Sequence, residues 1–246
     1  MNRPSASASP AASASRKPGF TLLETVIAIG VLAVLLTAFM YAFGPAMTGI
    51  RRSINIQEAD RLASTLENEL STLRTGQQTA DIKTGFDKSF QWLKDANEAA
   101  TALFVYQYRG DPSKRRSDNT LEPVTKIGGV VGKDYIVLPM VRRLNDPLFV
   151  KDIDALVGPV FFIKCTQLVY NKDKGLIPGT AGAISDPQDG TPVGKPDDYK
   201  EAVIAFSGEF YSMPANNQAY FTGPAFKKNF KIVKNPIFTR NLAVRR

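Results

Sequence analysis

The sequence predicts an α+β fold in which one long N-terminal helix lies on an antiparallel β-sheet, and three observations predict it. Lys17–Phe43 (KPGFTLLETVIAIGVLAVLLTAFMYAF) is an almost unbroken apolar run holding a single acid, Glu24, close to its start. Past Gly44-Pro45 the apolar pattern narrows to one stripe: Ile50, Ile54, Leu62, Leu66, Leu70 and Leu73 recur at helical spacing. Arg52, Glu58, Asp60, Glu67 and Glu69 fall mostly off that stripe. Further along, short segments alternate apolar and polar residues as half-buried strands do. A helix with one greasy face and a sheet with one greasy face complete each other.

Each element follows in chain order. Residues 1–15 are mostly Ala, Ser and Pro and cannot bury apolar surface, so they are expected to be disordered, within a leader of residues 1–19. A helix rises ~1.5 Å per residue, so residues 20–43 suffice to cross a hydrocarbon core of ~30 Å. Gly44 and Pro45 should kink or loosen this helix, because Pro45 removes one ladder bond and crowds the turn before it. Residues 44–75 are expected to continue it as an amphipathic helix ended by Thr75-Gly76. Residues 76–246 form the remaining α+β domain. Within it, 86–100 predicts a short helix with Phe86, Phe90, Leu93 and Trp92 inward. Residues 102–109, 135–141, 160–170 and 202–211 predict strands, with a weaker one near 230–233. The alternation of Phe161, Ile163, Cys165 and Val169 against Lys164 and Thr166 predicts a sheet with one face covered and one wet. Residues 110–119 and 171–200 read as loops.

Composition narrows the chemistry. Of 246 residues none is His and only Cys165 is Cys, so no disulfide forms within the chain. Zinc, haem and catalytic-triad chemistry lose their usual ligand or base. Cys165 lies in an apolar strand pattern and reads as a core residue. The formal charge is +8. Arg3, Arg16 and Lys17 precede the apolar run with no acid among them, which predicts a cytoplasmic N-terminus and an exported C-terminal domain.

Glu24 is the residue that most needs a purpose. An acid at the centre of a membrane helix costs ~2.5–3.5 kcal/mol on insertion scales, so it asks for a partner. A cut after Gly19 would place a new amine, on Phe20, within a helix radius of that carboxylate. Amine and carboxylate of neighbouring chains could then pair at low dielectric and set their register. The string Arg16-Lys17-Pro18-Gly19-Phe20-Thr21-Leu22-Leu23-Glu24 closely resembles the recognition site of type IV prepilins and type II secretion pseudopilins, over residues 16–50. That resemblance implies a prepilin peptidase that recognises Arg16, Lys17, Pro18 and Gly19 and cuts between Gly19 and Phe20. It also implies methylation of Phe20, an assembly role for Glu24, and a pilin-like fold. An ordinary signal anchor is the competing reading; a conventional signal peptide fits less well, since the apolar core is too long and no A-x-A cleavage site follows it.

The function expected is that of a non-enzymatic minor pilin or pseudopilin, without cofactor, anchored in the bacterial inner membrane and then incorporated into a filament. Its partners would be the peptidase, other pilin subunits, the inner-membrane assembly platform and the bilayer, with a periplasmic domain. Two further constellations have plain alternatives. Asp186, Asp189, Asp197 and Asp198 crowd one loop and suit calcium, but Pro187, Pro192 and Pro196 explain the segment as turns. Lys227, Lys228 and Lys231, interleaved with Phe221, Phe226, Phe230 and Phe238, suggest an adhesin or a nucleic-acid receptor that binds anionic ligands. A lysine-protected edge strand with a loose basic tail explains them equally. Lys114-Arg115-Arg116 reads as a surface loop.

Overall fold

The structure is a computed structural model that describes residues 19–246. Arg16, Lys17 and Pro18, proposed to be read by a peptidase, lie outside the described residues. The chain divides at Ile50/Arg51 into two units. Helix α1, Leu22–Ser71, crosses that division and is continuous through Gly44 and Pro45. In the first unit every residue from Phe20 to Ile50 is exposed. α1 is long and apolar enough to cross a membrane.

The second unit joins the rest of α1 to α2 (Gly85–Asp95), β1 (Leu103–Arg115), β2 (Leu121–Pro123) and β3 (Ile136–Arg143). There follow α3 (Pro147–Ile153), β4 (Leu156–Asn171), β5 (Gly175–Pro178) and β6 (Val203–Ser212). α4 (Gln218–Thr222), α5 (Pro224–Ile232) and β7 (Phe238–Arg245) complete it. The strands form one antiparallel sheet in the order β2-β1-β4-β6-β7, with β3 on β1 and β5 on β4. α1 lays Ala59, Leu62, Ala63, Leu66 and Leu70 on this sheet, against Val105, Phe161, Ile163, Phe206 and Leu242 among others. Ile50 and Ile54, counted in the predicted stripe, are exposed instead.

Several expectations are corrected. The sheet is covered on both faces. Phe104, Tyr106, Phe162 and Tyr211 point away from α1 into a second core closed by Phe149 of α3, Phe221 of α4 and Phe226 and Phe230 of α5. The expected wet face failed because its residues are aromatic, and Lys164, its polar marker, lies over the rings of Phe230 and Tyr211 at 4.8 and 5.2 Å. β1 runs through the predicted loop to Arg115, and Gly110 permits this, since a Cβ there would meet Leu121 Cβ at 2.8 Å. Residues 230–233 close helix α5 rather than form a strand: Phe226 and Phe230 are one turn apart and Pro224 opens the helix. The last strand is β7, in what read as a loose tail. Segment 171–200 is not a solvated loop, for it contributes β5 and buries Ile184, Val193 and Tyr199.

Candidate functional site

The N-terminal turn of α1 is built by four residues. Helix starts at Leu22, so Thr21 takes the N-cap place and Glu24 the third helical position. Glu24 N donates to Thr21 Oγ1 at 3.2 Å, while Thr21 N donates toward Glu24 Oε2 at 3.4 Å. Thr21 Oγ1 lies 3.5 Å from the same carboxylate oxygen. This is the reciprocal pattern of a capping box, and the helix dipole adds to it by favouring a negative group on the first turn. Phe20 beside it is 87% exposed. None of the ion pairs formed by the described residues includes Glu24. Glu24 therefore stands over the backbone amides of the terminal turn, and Thr21, which it meets, is one residue past the Gly19–Phe20 bond.

At the other end of α1, charges are sealed in. Glu69, placed on the wet face by its spacing, is buried and receives Lys88 Nζ at 2.7 Å and Arg74 Nη2 at 2.6 Å. Lys88 Nζ also donates to the carbonyls of Glu69 and Thr72, and Ser89 Oγ to that of Leu70. These donors occupy the last carbonyls of the helix, which is why α1 ends at Ser71 rather than at Thr75-Gly76. Burial pushes the Lys88 ammonium below the usual lysine range against the opposing pull of Glu69.

A second buried charge cluster ties α3 to the sheet. Arg142 donates to Asp152 Oδ2 at 3.0 Å, Asp118 Oδ2 at 2.9 Å and Asp146 Oδ2 at 2.9 Å. Asp152 also receives Tyr106 Oη at 2.6 Å and Arg116 Nη2 at 2.7 Å. Arg116, read as a surface residue, has a buried side chain; its Nε lies 3.7 Å from Glu122, too far for a hydrogen bond. Burial, then the Asp152 charge, pushes the Tyr106 phenol well above its ordinary value. Sequence reasoning missed this cluster, because its members are scattered over several elements with no spacing that announces them. Each of its acids is paired with Arg142 or Arg116, although Arg116 Nε and Nη1 find no partner, and these pairings make it a clasp.

The remaining candidates do not converge. Asp186 Oδ1 accepts from Gln188 N and Asp189 Oδ1 from Thr191 N, both within turns, while Asp197 and Asp198 lie in a single 3-10 turn. Among the described residues no group of three or more His, Cys, Asp or Glu side chains is arranged to hold a metal. Lys227, Lys228 and Lys231 are exposed on α5, but Phe221, Phe226 and Phe230 are buried beneath them, so no aromatic face is offered for base stacking. Cys165 is buried in the core on the α1 side of the sheet.

A family model described as the prokaryotic N-terminal methylation motif matches residues 14–40, which span the Gly19–Phe20 bond and the first turns of α1. No curated protein and no solved structure matches the chain.

Proposed function

From the premise that this chain carries the N-terminal signature of type IV pilins and pseudopilins, we propose that it is a minor structural subunit of a type IV pilus or a type II secretion filament. A prepilin peptidase cuts after Gly19, Phe20 is methylated, and residues 20–43 hold the chain in the inner membrane with its C-terminal domain in the periplasm. An assembly platform then lifts subunits into a filament packed through their apolar helices, where Glu24 meets the amino terminus of a neighbour. The observation that carries this reading is the coincidence of motif and geometry: the matched segment ends its polar part where α1 begins, and Glu24 already caps that end.

The test is the mass and N-terminal sequence of the chain made in cells with an active prepilin peptidase. The expected chain starts at methylated Phe20. A chain still starting near Met1 overturns the reading.

A further inference from the structure

The connection between β2 and β3 shows apolar side chains to solvent with no layer over them. In Lys126-Ile127-Gly128-Gly129-Val130-Val131-Gly132-Lys133, Ile127, Val130 and Val131 are 90%, 61% and 63% exposed. The turn is nevertheless held in shape. Val130 N donates to Asp134 Oδ2 at 2.7 Å, Gly132 N to Tyr135 O at 2.8 Å and Asp134 N to Val130 O at 2.9 Å. Gly128 and Gly129 take φ of 102° and 97°, a backbone that branched residues avoid. An ordered turn that presents three branched apolar side chains gains nothing from them inside its own domain.

Strand direction places this turn. β7 runs alongside α1 in the same sense, since Arg240 meets Asp60 and Ala243 N meets Glu67. β6, β4 and β1 alternate from it, so β1 runs back toward Arg51 and Gln107 meets Glu58. Val124 joins Arg109 and Ile136 pairs with Gly110, both past Gln107 in that direction, while β1 itself continues to Arg115. The apolar turn is thus rooted toward the end of the domain at which α1 enters, the end marked by exposed Arg51 and Arg52. Lys126 and Lys133 flank the apolar tip, and Asp134 beside them is engaged by the Val130 amide.

We propose that the 126–133 turn is a second membrane contact, in which Ile127, Val130 and Val131 enter an anionic lipid surface while Lys126 and Lys133 meet its headgroups. A greasy tip between cations matches that surface in both chemistry and charge. A second copy of the same tip would bring lysines face to face. The proposal rests on the anchored-subunit reading and adds that the domain, before it leaves for a filament, lies against the bilayer by this turn.

The test uses the full chain, with Ile127→Cys carrying an environment-sensitive fluorophore, in vesicles of phosphatidylglycerol or of phosphatidylcholine. Cys165 does not compete for the label, being buried with its thiol pushed up by that burial. In phosphatidylglycerol the expected emission is blue-shifted and quenched by nitroxide-bearing lipid, and a Lys126→Glu/Lys133→Glu background returns it toward the water value. Water-like emission from chains that float with the vesicles overturns the contact and leaves the anchor standing. A blue shift that ignores lipid quenchers and grows with protein density overturns it in favour of contact between copies. Chains that fail to float overturn the anchor and the contact together.

Discussion

Glu24 and Glu69 lie near opposite ends of one helix and live in opposite surroundings. Glu69 is buried, gripped by Lys88 and Arg74, and works with Lys88 to close the helix on α2. Glu24 stands among exposed apolar side chains, with Thr21 as its neighbour and no cation among the described residues. The Arg142 cluster follows Glu69: every acid in it has an internal cation. A charge answered inside the chain holds a domain together; one left unanswered on a greasy surface is available to another molecule. On this contrast the domain is complete in itself and the N-terminal turn is not.

The contrast is most sharply broken by Glu24→Ala. Filament assembly should fail outright while the urea midpoint of the C-terminal domain stays where it was, and a normal filament by electron microscopy would show that Glu24 needs no partner. Next in size is Asp152→Ala, which leaves Arg142 and Arg116 short of a buried counter-charge and should cost ~3–5 kcal/mol in urea unfolding. Lys88→Met should cost less, since Arg74 still reaches Glu69. The double change Glu69→Leu/Lys88→Met should recover much of that loss, because a buried pair is often no better than apolar side chains of similar volume. Non-additive midpoints in such a cycle would measure the coupling.

The pH limbs are the smallest effects. Burial raises the Asp118 carboxyl, but bonds from Thr120 and Arg142 outweigh it and hold it below the ordinary value of 3.8. Its contribution is therefore present above that value and lost as pH falls through the depressed one. At the alkaline end Tyr106 is raised above 10.0, so its contribution is intact below that pH and lost above it. Phenolate absorbance should accordingly rise for Tyr106 only as the domain unfolds.

Much of the fold could be read from the residues. The N-terminal run, the alternation around Phe161 and Phe206, and the helix at Phe86–Leu93 each carried their period openly. β7 did not. Phe238, Leu242 and Val244 do alternate, but Arg240 stands in their row because Asp60 of α1 receives it, and the polar residue disguised the strand. The second core stayed hidden for the reverse reason: both faces of β1 and β4 are apolar, so alternation there has little contrast. At the site, Glu24 was legible as the lone acid of the apolar run, whereas its reciprocal cap with Thr21 came from the structure. Glu69 was misplaced because its partner Lys88 lies on another helix, and no local pattern reports such a pairing.

The Lys88 amine, fully enclosed while most other lysines face water, gives the domain an internal stopwatch. Reagents that acylate amines should modify Lys88 only as fast as α1 and α2 part company. The lag between its labelling and that of Lys227 or Lys228, followed by mass spectrometry, would time how often this joint breathes.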